Sequence, residues 1–280
     1  MDNYQLTQDQ ITAYGVCLRT EEHAPGTIEK YLRDTRAFAV WLEGRPVTRE
    51  LAAEWRDRLL SSGHKPSTVN SMLAAVNGLF RFLGWGIRVK FLKVQRRLFR
   101  DQSRELTRGE YDLLVNTARA AGKERLALLM EAVCATGVRV SEVKYLTVEA
   151  AQCGRAEIAL KGKIRTILLP NKLCRKLLKY ARKQKIASGE IFLTRSGASL
   201  SRRQIWAEMK QLCKATGVAP EKVYPHNLRH LFARTFYQAC KDIARLADVL
   251  GHSSIETTRI YLVTTGAEQV RQLDRLGLVS

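Results

Sequence analysis

Apolar residues recur at helical spacing from the start of the chain to about residue 85. Ile11, Tyr14 and Leu18 share one face of a helix expected over 8–21. Ala24-Pro25-Gly26-Thr27 interrupts it, and Thr27 can cap a second helix. There Ile28, Tyr31, Leu32, Phe38, Trp41 and Leu42 keep a near-helical period until Gly44. Thr48 opens a third helix through Leu51, Trp55 and Leu59-Leu60, which ends near Gly63. Pro66-Ser67 opens a fourth, with Val69, Met72, Val76, Leu79, Phe80 and Leu83. No strand pattern precedes about residue 85, so a compact helical region is expected over 1–89. Its aromatics, Tyr31, Phe38, Trp41, Trp55, Phe80 and Phe82, read as core rather than as platforms for bases.

The pattern changes at Lys90–Arg104, where several positive charges accompany the acid Asp101. This segment, 90–104, reads as a basic interdomain linker; the bland reading is a basic surface helix. Residues 105–280 read as a second domain. Thr107-Arg108-Gly109-Glu110 has capping-box spacing before a helix to about Ala120. A strongly apolar helix follows over roughly 123–135 and stops at Gly137. Arg139 and Glu142 fall three apart, on one face of a next short helix. Residues 156–160 and 166–170 read as a β-hairpin around the basic turn Lys161-Gly162-Lys163-Ile164-Arg165. A basic helix (172–185), a short strand (190–194) and a helix capped by Ser201 come next, and 225–261 reads as almost entirely helical. The fold class expected is mainly α with a small antiparallel β-sheet.

Charge narrows the function. Lys and Arg total 47 against 27 Asp and Glu, a net charge of +20. Such an excess implies an anionic partner, and nucleic acid leads. Arg33, Arg36, Lys30, Arg56, Arg58 and Lys65 of the helical region are candidates to meet phosphates. No apolar run of membrane-spanning length and no signal-like start is present, so a cytoplasmic, nucleoid-associated protein without a membrane partner is expected. Six cysteines (17, 134, 153, 174, 213, 240) lack any Cys-x-x-Cys pair and read as reduced, mostly buried thiols. No clustered ligand set suggests a metal.

The chemistry gathers in Pro225–Tyr261. His226-Asn227-Leu228-Arg229-His230, Leu250-Gly251-His252-Ser253 and Thr257-Thr258-Arg259-Ile260-Tyr261 place cationic donors around a tyrosine. Singly, each has a plain structural explanation. His-x-x-Arg is an ordinary helix face, Gly-His-Ser can cap a helix, and Tyr261 can be a core aromatic, with Tyr224 and Tyr237 as rival hydroxyls. In this order, preceded by Ala135-Thr136-Gly137-Val138-Arg139-Val140-Ser141-Glu142, they resemble the tyrosine recombinases of the phage-integrase family. The likeness covers about 105–265. The helical region is similar to that family's core-binding domain, and the length suits compact Xer-like or mobile-element members, with no arm-binding domain before residue 8.

The resemblance implies roles. Arg139 and Arg229 match the two active-site arginines, His226 and His252 the two histidine positions, Tyr261 the nucleophile and Glu142 the supporting acid. Lys161 fits the hairpin lysine best, with Lys163 the alternative. It implies a homo-tetramer acting on two double-stranded DNA sites, with a sister recombinase or accessory proteins as further partners. The tail would pack in cis or in trans, anchored by Val270, Leu273 and Leu276. Phosphate chemistry agrees with these roles. Two guanidiniums match the non-bridging oxygens, where charge builds in the transition state. His252 can add a donor, His226 can accept the tyrosine proton, and a lysine can protonate the leaving 5′-oxygen. A phosphotyrosyl ester retains the bond energy, so no cofactor, ATP or metal is needed. A non-cleaving DNA-binding regulator and a type IB topoisomerase are the competing expectations.

Overall fold

The structure is a computed structural model that describes residues 4–94, 102–160, 163–261, 270–271 and 273–277. The chain divides into two compact units, Met1–Arg96 and Arg97–Ser280.

The first unit holds α1 (Gln8–Thr20), α2 (Pro25–Leu42), α3 (Arg49–Ser61) and α4 (Pro66–Phe82). Thr7 and Gln10 form a reciprocal capping box at α1, and Thr48 caps α3. The second helix starts before the expected Thr27 cap. Pro25 occupies its first position, where a missing N–H costs nothing, and Ala24 is the N-cap. Phe38 on α2 is fully buried, with its ring 5.0 Å from Trp55 of α3 and 5.7 Å from Phe80 of α4, both edge-on. Phe82 departs from the expected core set and is exposed. Residues leaving α4 run extended along it. Asn77 exchanges two 2.9 Å hydrogen bonds with the backbone of Val89, and Asn70 exchanges two, of 2.9 and 2.8 Å, with that of Leu92. Seven residues apart on one helix, the two amides act as substitute strand partners.

The second unit contains α5 (Arg108–Ala120), α6 (Glu124–Thr136), a 3-10 helix (Val140–Tyr145), α7 (Val148–Cys153), the hairpin β1 (Arg155–Leu160) and β2 (Lys163–Leu168), α8 (Asn171–Lys183), α9 (Arg202–Thr216), α10 (Pro225–Cys240), α11 (Ile243–Leu250) and α12 (Ile255–Arg259). The α6 helix is central. Its Leu126, Leu129, Met130 and Val133 are buried, and α5, α8 and α10 pack on it. The hairpin pairs Ile158 with Arg165 and Ala156 with Ile167, and Ala156, Ile158 and Ile167 are buried. Ile164 and Leu168, in the opposite phase, are exposed.

Several expectations change. The segment 148–153 forms α7, capped by Thr147, where no helix was expected. The strand expected at 190–194 is reduced to single bridges, Thr147 with Glu190 and Leu193 with Ser199, because no continuous partner strand runs beside it. Of the free cysteines only Cys174 and Cys213 are buried; Cys153 and Cys240 end α7 and α10 at exposed positions. Part of the expected linker, 95–101, lies outside the described residues. Among those described, no helix is long and apolar enough to cross a membrane and no metal-binding cluster occurs.

Candidate active site

Two helices aim their carbonyl ends at one spot. The α6 helix stops at Gly137 (φ +65°) and α11 at Gly251 (φ +62°), both left-handed positions that favour glycine. A Cβ at Gly137 would run into Phe232, and one at Gly251 into the Arg165 side chain. The last carbonyls of a helix lack intrahelical donors and carry its negative dipole end, so they suit cations. Three guanidiniums use them.

Arg229, in the second turn of α10, is only 2% exposed. It donates to the Gly137 carbonyl, to the Leu250 carbonyl at 2.7 Å and to His252 Nε2 at 3.0 Å. No carboxylate among the described residues pairs with it. Burial, and then repulsion from Arg139, pulls its pKa down to about 10, against support from the Tyr261 phenol. Arg139 does not lie on the expected short helix. It is the extended residue before the 3-10 helix, and its backbone N–H and Nη1 both bond Glu142, at 2.8 and 3.0 Å. Its Nη2 reaches the Gly251 carbonyl at 3.4 Å, and its side chain is 38% exposed. Glu142, 2% exposed, also pairs with Arg165 from β2. Arg165 in turn donates to the Leu250 carbonyl.

Three of the chain's five histidines stand here. His252 follows the Gly251 turn. An arginine can only donate, so His252 Nε2 accepts from Arg229; the ring is then neutral, with its proton on Nδ1 facing Thr258 Oγ1 at 2.9 Å. Burial, then Arg229, Arg139 and Arg165, push its pKa down to about 4. His226 keeps an exposed edge, yet partial burial followed by Arg229 and Arg139 lowers its pKa. Tyr261 comes directly after the C-cap of α12 and is 5% exposed, against Ala233, Leu246 and Leu250. Its ring lies parallel to that of His252 at 5.9 Å. The imidazole touching it edge-on, at 4.6 Å, belongs to His230, and His226 contacts the far side of this pair by an equal distance to His230. Burial, and then His226, hold the His230 pKa at about 3.

Arg139, Glu142, Arg229, His252 and Tyr261 thus converge, with His226 joined through His230. Arg139, His226 and Arg229 line an open cavity of about 650 Å³ that Arg202, Arg203 and Trp206 continue. Lys161 lies outside the described residues, and Lys163 is the first residue of β2. The rivals separate: Tyr224 lines the cavity as the N-cap of α10, whereas Tyr237 packs against the apolar cluster of Ala233, Leu246, Leu250 and Tyr261. Arg165 and His230 were not singled out from the sequence. The signals for them were strand phase, which turns Arg165 inward with Ile167, and a four-residue step from His226 along one helix face.

A charge cluster of this kind, with a buried tyrosine against it, suits reaction at an anionic ester. The model of the phage integrase family matches residues 104–267, and that of the phage integrase N-terminal SAM-like domain matches 11–86. The tyrosine recombinase XerC of Roseiflexus castenholzii is 31% identical over 90% of this chain and 88% of its own length. XerA of Pyrococcus furiosus is 26% identical over 98% and 96%. The fold resembles that of a lambda integrase tetramer bound to a Holliday junction (TM-score 0.74, 19% identity, 93% of this chain and 78% of that one). It also resembles XerH bound to palindromic difH (TM-score 0.70, 19% identity, 93% and 87%). The chain belongs to the phage integrase family, the tyrosine recombinases, enzymes that break and rejoin DNA at specific sites.

Proposed function

We propose that Tyr261 is the nucleophile of strand exchange and that Arg139, Arg229 and His252 hold the scissile phosphate. The observation carrying this reading is Arg229: a buried guanidinium held by carbonyls and by His252, the imidazole stacked on Tyr261, with no carboxylate paired to it among the described residues. A buried charge without a counter-ion is costly, and an entering phosphate supplies one. Tyr261 Oη attacks phosphorus, a 3′-phosphotyrosyl ester forms, and the bond from phosphorus to the 5′-oxygen breaks. The phenol proton passes to His226 by way of His230, the imidazole that lies against Tyr261. The 5′-oxygen takes a proton from Lys161, with Lys163 the alternative donor. As phosphate draws the Arg229 donors to itself, the neutral His252 ring can shift its proton from Nδ1 to Nε2, with the Thr258 hydroxyl then donating to Nδ1, and donate to a phosphate oxygen. Attack by a second strand's 5′-hydroxyl reverses each step.

The unit over 1–89 serves as the core-binding domain, 90–104 as the basic linker and 105–280 as the catalytic domain. The net charge of +20 supports a duplex DNA partner inside the cell, at the nucleoid. A tetramer on two sites fits both the lambda integrase likeness and the tail, where Val270, Leu273 and Leu276 are all exposed and free to anchor in a neighbouring copy. A nicked suicide duplex from DNA flanking the gene tests the chemistry. Wild type should give a covalent protein–DNA band on a denaturing gel, absent for Tyr261→Phe and weak for Arg229→Ala. A bound but uncut site would indicate a non-cleaving regulator. A band that survives Tyr261→Phe would move the nucleophile to another tyrosine. Relaxation without joining of two sites would indicate topoisomerase action.

A further inference from the structure

The site holds a third guanidinium that the phosphate-binding scheme does not use. Arg165 projects from β2 and its side chain is 16% exposed. It pairs with Glu142 on the 3-10 helix and donates to the Leu250 carbonyl at the end of α11. Its stem fills the space a Cβ at Gly251 would need. Its Nε is buried and has no hydrogen-bond partner among the described residues. A solvated hairpin arginine would satisfy all its donors in water; this one leaves one unsatisfied and endures repulsion from Arg139. The position is therefore held for something other than solubility.

What Arg165 connects is informative. Glu142 orients Arg139, and Leu250 also accepts from Arg229. Arg165 thus ties β2 to both of the anchors that hold the phosphate-binding arginines. On the neighbouring strand, Tyr145 Oη donates to the Ala159 carbonyl at 2.7 Å. The hairpin is pinned on each strand within a few residues of its turn, well beyond the Leu169–Gly154 bond that closes its base. A two-stranded ribbon alone is marginally stable and bends easily, so these side-chain ties fix its two strands.

We propose that Arg165 is a positioning residue that fixes β2 of the hairpin against the two-arginine site, and that proton delivery by the hairpin lysine depends on this fixing. The proposal rests on the reading of a hairpin lysine as the general acid. Arg165 stabilises no charge on the phosphate; its loss removes delivery of the proton to the leaving 5′-oxygen. The reaction itself can separate these effects. If sulfur replaces the 5′-bridging oxygen at the scissile phosphate, the phosphorus–sulfur bond breaks to give a thiolate, which leaves without being protonated.

The test measures single-turnover covalent complex formation by the full chain on paired duplexes from DNA flanking the gene, one with the bridging oxygen and one with sulfur. Wild type, Lys161→Ala, Lys163→Ala, Arg165→Gln and Arg165→Lys are compared, with thermal unfolding and DNA binding recorded for each. Arg165→Gln should slow cleavage of the oxygen substrate by about 10²-fold or more, within the usual range for general-acid catalysis, and the sulfur substrate by less than about fivefold. Arg165→Lys keeps the charge beside Glu142 but cannot fork to Leu250, and should show a smaller defect with the same selectivity. Equal defects of both Arg165 variants on the two substrates overturn the proposal, whether the cause is lost phosphate stabilisation or lost folding. Rescue by sulfur of Lys163→Ala in place of Lys161→Ala reassigns the acid and leaves Arg165 to be judged on its own rescue. Failure of both lysine variants to be rescued removes the hairpin acid, and the proposal with it.

Discussion

Glu142→Gln isolates the carboxylate that, among the described residues, balances this cluster. Glu142 is 2% exposed and accepts from the Arg139 backbone, the Arg139 side chain and Arg165. The amide conserves shape, so no cavity forms; what disappears is the counter-charge for Arg139 and Arg165, while Arg229 has no paired carboxylate among the described residues. Breaking a buried pair while leaving its partner charged costs about 3–5 kcal/mol. Arg139 is partly solvated and its share is screened, so a loss of about 3 kcal/mol is expected. In a unit of this size that lowers Tm by roughly 6–12 °C. Scanning calorimetry of the full chain should show one transition displaced, with the transition of the N-terminal unit unmoved. Sulfate, standing in for phosphate, should restore the variant more than it stabilises wild type, since the bound anion replaces the missing charge. A loss below about 1 kcal/mol, or an equal response of both proteins to sulfate, would refute the idea that Glu142 is the electrostatic keystone of the site.

Other outcomes follow from the same geometry. Arg229→Met should slow cleavage by about 10³-fold or more yet change unfolding free energy in urea by less than about 1.5 kcal/mol. The fall of the Arg229 pKa to about 10, from burial and then repulsion by Arg139, corresponds to a net cost of charging on the order of 3 kcal/mol, offset by two orphaned carbonyls at about 1–2 kcal/mol each. His230 and His252 have pKa values of about 3 and 4, below the unfolded value, so the unfolded chain binds more protons in the acid range. Stability should therefore be intact above about pH 6.5 and fall as pH drops toward 4, by at most about 1.4 kcal/mol per pH unit for each group; a flat Tm across that window contradicts the neutral-histidine assignment. Asn77→Ala strands the Val89 N–H and carbonyl and should cost the N-terminal unit about 2–4 kcal/mol in a calorimetric scan, leaving the catalytic transition in place.

The helices were legible because their signals are local. Thr7, Thr48, Thr107 and Ser201 each cap the helix they precede, and Gly137 and Gly251 stop helices by occupying left-handed backbone. Pro25 misled because proline, read as a break, is also the preferred first residue of a helix. The segment 190–194 misled because strand propensity says nothing about whether a partner strand is available. The short α7 was hidden in a six-residue stretch too brief to show a period.

The site was legible in its parts and not in its wiring. Motif spacing marks Arg139, Arg229, His252 and Tyr261, but which group holds which depends on contacts across many residues. Arg229 reaches the Gly137 carbonyl 92 positions away, and Arg165 reaches Leu250 across 85. Those contacts use backbone carbonyls, which every residue carries and no sequence pattern distinguishes. This has a physical consequence. A pocket built from carboxylates would neutralise its arginines and leave little attraction for phosphate. A pocket built from the dipole ends of α6 and α11 fixes the same guanidiniums with partial charges, so most of their positive charge remains available. Glu142 is the exception, and it sits under Arg139 and Arg165 while Arg229 has no paired acid among the described residues. Holding cations by carbonyls keeps the site ordered before DNA arrives and still electrostatically unsatisfied, the condition under which a transition state gathering charge on phosphate oxygens is bound more tightly than the ground state.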